Sequence, residues 1–211
     1  MLINLRNGML INEVTLPAPY KRVSRIYSDG YACLVIPHTH TNSTKISTRI
    51  IFRRRGASSG GKNLFQGALS DRNWMGGFYA TGGNVQGFYI GDQALIYGVG
   101  VFADRDYDFA YTRDGNTVTI RDGEREGSMY VGGTVSAAYM GIFTQTNGSS
   151  PISGRAPVNY GVSYFEYHDG TTYEAKLYPA INEDTGVVGM YDITNGQFLQ
   201  NASTGSFSYD Q

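Results

Sequence analysis

Apolar positions recur with a period of two along much of this chain. In residues 45–53, Ile46, Thr48, Ile50 and Phe52 fall on one face, and Lys45, Ser47, Arg49, Ile51 and Arg53 on the other. That is the pattern of a strand with one buried face. Before it, Tyr20, Val23, Ile26 and Tyr27 anchor an extended segment, and 31–37 (YACLVIP) reads as a more continuously apolar strand. Further strands are predicted at 63–69, 74–80, 85–90, 94–101, 107–112 and 117–121, then at 161–168, 172–178, 187–192, 197–199 and 205–209. Asn7-Gly8, Asp114-Gly115, Asp122-Gly123 and Asp169-Gly170 punctuate these runs as hairpin-type turns. Phe78-Tyr79 and Phe88-Tyr89 repeat at a ten-residue spacing, as in a hairpin that sets equivalent residues side by side. The stretch 144–156, which contains Pro151, reads as a polar loop.

Many short strands without a long helical period predict an all-β sandwich. The 211 residues fit one such domain. Pro17 and Pro19 interrupt the ladder after a first short hairpin, so we divide the chain into an N-terminal hairpin or arm, 1–15, and a domain, 16–211.

Composition supports strands and turns, with 17 Tyr, 10 Phe and 28 Gly. A net charge of -1 gives no general attraction to nucleic acid or to an anionic membrane, so neither is expected as a partner. The basic group Arg49, Arg53, Arg54, Arg55 and Lys62 reads as a solvated strand edge. Cys33 has no second cysteine to pair with and reads as a small buried hydrophobe inside a strand. No signal-peptide pattern and no run of about 20 apolar residues is seen, so membrane insertion is not expected. Association with a virion or a cell surface then requires another route, such as assembly into a particle followed by lysis.

Two motifs bracket the domain. The first is Leu16, Pro17, Tyr20, Val23 and Ile26. The second is Gly186, Gly189, Tyr191, Asp192, Gly196, Phe198, Asn201, Gly205 and Phe207. Together with the hairpin at 117–123 they resemble the LamG-like, concanavalin A-like domains of phage and prophage structural proteins and of gut Bacteroidetes genomes. The resemblance implies a jelly-roll β-sandwich of two antiparallel sheets. The family's first motif usually continues as S-x-G-x-Q-Y-I-D-T. Here residues 28–36 read SDGYACLVI, which keeps the strand and loses the polar Gln and Asp. Within the second motif, Gly189 and Gly196 are expected to relieve crowding or allow positive φ. Tyr191 and Phe198 are expected to pack inward, and Asp192 and Asn195 to satisfy turn backbone groups. In such folds the first and last strands share a sheet, so 16–26 is expected to meet 205–209, with Phe207 and Tyr209 facing the core.

Candidate chemistry is sparse. His38 and His40 have the i, i+2 spacing that puts two imidazoles on one side of a strand, with His168 the remaining histidine. Asp104, Asp106 and Asp108 also alternate, as an acidic strand entrance or a calcium contact. Neither set makes a complete ligand shell, so no metal and no cofactor is expected; His38, His40, Asp104 and Asp106 are the residues a metal would use. Glycosidases of this fold class carry an E-x-D-x-x-E or E-x-D-x-E strand, which is missing here, and Glu166 and Glu174 are not singled out as acid and base. No phosphate loop, C-x-x-C, H-E-x-x-H or G-x-S-x-G occurs either. The remaining candidate is an aromatic sugar platform: Trp74 with Asp71, Arg72, Asn73, Tyr79 and Asn84. The expectation is a non-catalytic attachment module for a glycan or another surface ligand. The alternative is a structural phage or appendage domain in a homo-oligomer or larger particle. A glycoside hydrolase ranks third.

Overall fold

Alternation in the sequence becomes twenty antiparallel strands and no helix among the described residues. The computed structural model describes residues 14–39, 41–52, 62–63, 65–66, 77–81, 84–90, 93–94, 106–122, 125–130, 138–144, 146–152 and 160–211. The chain begins with β1 (Tyr20–Arg22), β2 (Arg25–Ser28), β3 (Leu34–Thr39) and β4 (Lys45–Phe52). Short pieces follow: β5 (Lys62–Asn63), β6 (Phe65–Gln66), β7 (Gly77–Thr81), β8 (Asn84–Ile90) and β9 (Gln93–Ala94). Then come β10 (Asp106–Asp114), β11 (Thr117–Asp122), β12 (Arg125–Tyr130), β13 (Tyr139–Ile142), β14 (Thr146–Asn147) and β15 (Ser150–Pro151). The last are β16 (Tyr160–His168), β17 (Glu174–Asn182), β18 (Val188–Asp192), β19 (Gln197–Gln200) and β20 (Phe207–Asp210).

An eleven-stranded sheet runs β12-β11-β10-β4-β16-β17-β18-β19, with β1 against β17 and β2 between β16 and β20. It forks at β16. One side of β16 pairs with β4 from Tyr160 to His168. On the other side, Gly161 and Val162 meet Tyr27 and Ile26 of β2, while Phe165 to His168 meet Leu177 to Glu174 of β17. A three-stranded sheet, β3-β13-β6, supplies the second layer. Its Leu34, Ile36, Met140 and Ile142 join Ile26, Ile46, Phe109, Tyr111, Val118, Ile120, Val162, Phe165 and Leu177 of the large sheet in one buried cluster. Two sheets closing on a shared apolar core make a β-sandwich. The sheet β5-β7-β8-β9 and the hairpin β14-β15 complete the described structure.

The period of two holds where it was predicted. Ile46 and Thr48 are buried while Lys45 is exposed, and Val118 and Ile120 share the core face of β11. Opposite parity in β17 and β18 builds a second, smaller cluster on the reverse face: Leu16, Ala180 and Tyr191, joined by Val14, Tyr20 and Phe198. The Tyr20 ring lies 4.8 Å from Tyr191 and 4.9 Å from Phe198.

Residues 31–33 are not strand, contrary to expectation. Their backbone donors go to side chains instead of a ladder. Asp29 Oδ1 accepts from the N–H of Tyr31 (2.9 Å) and Ala32 (3.0 Å), and Asn201 Oδ1 from that of Cys33 (3.0 Å). The strand starts at Leu34 and runs through Pro37 and His38 to Thr39. Pro37 is tolerated because the register against β13 slips there, with Met140 opposite Ile36 and Tyr139 opposite Thr39. The loop at 144–156 also contains a small hairpin, with Thr146 opposite Pro151. At the β10–β11 turn, Asp114 pairs with Thr117, so the two loop residues are Gly115 and Asn116.

The two bracketing segments meet, as expected. Arg25, Ile26, Tyr27 and Ser28 pair with Asp210, Tyr209, Ser208 and Phe207. Phe207 packs against the core, its ring 5.8 Å from Phe143. Tyr209 was expected in the core as well. It lies on the same face but stays 37% exposed, because among the described strands β20 pairs with β2 alone and Tyr209 reaches the sheet's rim.

Candidate functional site

The proposed sugar platform is only partly placed. Asp71, Arg72, Asn73 and Trp74 lie outside the described residues, as do His40 and Asp104. Tyr79 is in β7 and Asn84 in β8, on the expected hairpin, where Phe78 stands opposite Phe88. Asn84 closes the described ladder opposite Thr81, and Tyr79 lies two positions back.

His38 has a carboxylate partner. Its Nε2 lies 2.8 Å from Asp169 Oδ2, and its ring stacks on Tyr173 at 3.9 Å and 7°. Asp169 is buried at the end of β16, and its Oδ1 accepts from the N–H groups of Thr171 (2.7 Å), Thr172 (3.0 Å) and Tyr173 (3.1 Å). Thr41 Oγ1 donates to the Asp169 carbonyl. Burial pushes the Asp169 carboxyl upward, but the Thr171 N–H, His38 and the other donors outweigh it and hold the group well below the usual carboxylate range. His168 accepts the Gly170 N–H at Nδ1, 2.8 Å away. The arrangement ties β3 and the 41–44 loop to the β16–β17 turn. No group of three or more metal-type ligands gathers among the described residues. Nothing in the sequence signalled the link between His38 and Asp169, which lie 131 residues apart.

Asp106 and Asp108 are engaged by arginines. Arg25 Nη2 donates to both Asp106 oxygens at 2.9 and 3.0 Å. Arg49 grips Asp108 as a two-pronged fork, Nε–Oδ1 2.7 Å and Nη2–Oδ2 2.8 Å. Cross-strand register then builds rows on the outward face. One row is Asp108, Arg49 and Tyr164; the next is Ala110, Ser47, Glu166 and Lys176. The Tyr164 hydroxyl lies 3.4 Å from Ser47 Oγ, Lys176 Nζ lies 2.9 Å from Glu174 Oε1, and the Arg22 guanidinium sits 5.0 Å over the Tyr178 ring. Neighbouring strands are about 4.8 Å apart, so this face offers fixed donors and acceptors at close intervals, with Tyr178 half-buried and Tyr164 buried among them. Arg22, Arg25 and Arg49 were missed as site candidates. Their partners come from distant strands, and alternation alone marks them only as outward-facing.

The second motif builds turns. Asp192 Oδ1 accepts from the N–H groups of Lys176, Thr194 and Asn195, and Asn195 Nδ2 donates to the Glu174 carbonyl and to Asp192 Oδ2. Gly196 has φ 65°, and a Cβ on Gly189 would stand 2.2 Å from the Leu199 carbonyl oxygen. Tyr191 is buried and Phe198 packs beside it.

Cys33 is buried, though it precedes β3 instead of lying within a strand. Burial pushes its thiol up to about 11, against weaker opposing hydrogen bonds from Ser203 and Thr144. We expect the native protein to react with an aromatic disulfide reagent about a hundredfold more slowly than the unfolded chain at neutral to mildly alkaline pH. Equal rates in buffer and in denaturant would show the thiol to be accessible.

No protein-family model matches the chain, and no curated protein matches it either.

Proposed function

We propose that this chain is a non-catalytic attachment module of concanavalin A-like, LamG-like type and that its ligand is carbohydrate. The observation that carries the reading is the outward face of β10, β4, β16 and β17. There the Arg49–Asp108 fork, the Arg25–Asp106 pair, Glu166 and Lys176 line the face around half-buried Tyr178, while Tyr164 is buried. Sugars present hydroxyls that both donate and accept, together with C–H faces that rest on aromatic rings. Charged pairs of both signs, held in place by each other, supply fixed partners for hydroxyls without favouring a charged ligand.

A broad glycan array tests the reading, with Arg49→Ala and Trp74→Ala beside the parent protein. Saturable binding is expected, with roughly tenfold or greater loss in Arg49→Ala, since hydrogen bonds to charged groups are worth about 1.5–3 kcal/mol. Loss in Trp74→Ala with Arg49→Ala intact would move the site to the segment around β7. No binding to any glycan by folded protein would overturn the proposal. A structural role in a larger assembly is the second reading, favoured by Tyr130, which is 72% exposed on β12 at one end of the eleven-stranded path. Sedimentation of the glycan-negative protein as an oligomer would support it. Reducing-sugar release by the pure protein would instead support hydrolysis.

A further inference from the structure

Two Asn-Gly pairs lie among the described residues, Asn147-Gly148 and Asn195-Gly196, and their surroundings differ. In such a pair the glycine nitrogen has no neighbouring side chain to obstruct its attack on the asparagine Cγ. Attack requires that nitrogen to be free of hydrogen bonds and the side-chain amide to be free to swing over it.

Both reactants are held at Asn195-Gly196. Asn195 Nδ2 donates to the Glu174 carbonyl at 2.8 Å and to Asp192 Oδ2 at 2.7 Å, and the Gly196 N–H donates to the Asp192 carbonyl at 2.9 Å. Neither is held at Asn147-Gly148. Both residues are exposed at the tip of the β14–β15 hairpin. Among the described residues, the Asn147 amide and the Gly148 N–H have no hydrogen-bond partner, and a Cβ placed on Gly148 would meet nothing within 4 Å.

We propose that Asn147-Gly148 is a self-modification site, at which the folded protein deamidates through a cyclic imide. The Gly148 nitrogen loses its proton to solvent base and bonds to Asn147 Cγ. The Cγ–Nδ2 bond breaks, and the amide leaves as ammonia after taking a proton from water. Water then opens the imide at either carbonyl, giving aspartate or isoaspartate. No oxidant or enzyme is required. The product carries one more negative charge, and isoaspartate also lengthens the backbone by a methylene. Both changes fall on the hairpin that holds the start of β13, where the Gly148 carbonyl accepts from the Tyr139 N–H at 2.9 Å and Thr146 Oγ1 donates to the Tyr139 carbonyl at 2.6 Å.

The test is peptide mapping of the intact folded chain held in mildly alkaline buffer, with a parallel sample in denaturant. In the folded sample the peptide containing Asn147 should gain about 1 Da, with isoaspartate present. It should convert roughly tenfold or more faster than the peptide containing Asn195, since hydrogen bonds must break before Asn195 reacts. In denaturant the two rates should converge. Gly148→Asp, which accepts the positive φ of this position, should slow the reaction at Asn147. The proposal is overturned if Asn195 keeps pace in the folded chain, if Asn147 stays intact there while converting in denaturant, or if Gly148→Asp leaves the rate unchanged.

Discussion

Removing residues 205–211 is expected to leave a chain that is largely unfolded or aggregated. The deletion takes away β20 and its four pairs with β2. Asp29 Oδ2 loses the Ser206 N–H (2.8 Å), the Tyr27 hydroxyl loses Asp210 Oδ2 (2.6 Å), and Phe143 loses the Phe207 ring. A fully buried aromatic costs about 3–5 kcal/mol when truncated, and each hydrogen bond about 0.5–1.5 kcal/mol. Half-buried Phe207 and the lost bonds together come to about 5 kcal/mol, comparable to the whole stability of many domains. The open edge of β2 would also offer a template for pairing with other chains. Thermal and denaturant melts of the truncated protein check this. A midpoint equal to that of the parent would show that β20 does not hold the sandwich together.

Replacing Asp169 by alanine is expected to cost about 3–5 kcal/mol, by leaving three backbone N–H groups and His38 without their acceptor. Asp169→Asn should fall between parent and alanine, because one amide oxygen can still accept. The charge makes the effect depend on pH. The carboxyl is held below its ordinary value in the fold, so the unfolded chain binds its proton first as pH falls. The contribution is therefore complete above about pH 4–5, near the unfolded value, and fades as pH drops further. Urea midpoints measured down the acid range should show the gap between parent and Asp169→Asn narrowing below that point. A gap that stays constant would mean that the ionised carboxylate gives no advantage over the neutral amide.

Strands were legible because alternation is local and the pleat repeats every two residues; Ile46, Thr48, Val118 and Ile120 read directly as one-faced burial. The second motif was legible for the same reason. Gly196, Asp192 and Asn195 act within one turn, and Gly189 touches only the adjoining strand. The failures occurred where a distant group claimed a local one. Tyr31, Ala32 and Cys33 have strand-like side chains, but their backbone is drawn off by Asp29 and by Asn201. Asp106 and Asp108 are exposed at the entrance of β10, as read, but the arginines that pair with them, Arg25 and Arg49, come from other strands. His38 was read only beside His40, because Asp169, 131 residues away, could not be seen beside it. Trp74 lies outside the described residues, and the charged face around Arg49 depends on a sheet order that composition does not encode.

The pairing of β2 with β20 also bears on how the protein is made. Tyr27 and its partner Asp210 are 183 residues apart, a stretch that takes about 10–40 s to synthesise. Throughout that interval the buried face of β2 exists without the strand that covers its flank. β10 and β11, joined by a two-residue turn, can pair with each other and with the already synthesised β4 while the ribosome is still working, but β2 must wait for β20. High contact order slows the closing step further. Among the described strands, the nascent chain is therefore exposed to chaperones and proteases for longest at Arg25 to Ser28, and expression yield should respond to translation speed and temperature more than the stability of the finished sandwich would suggest.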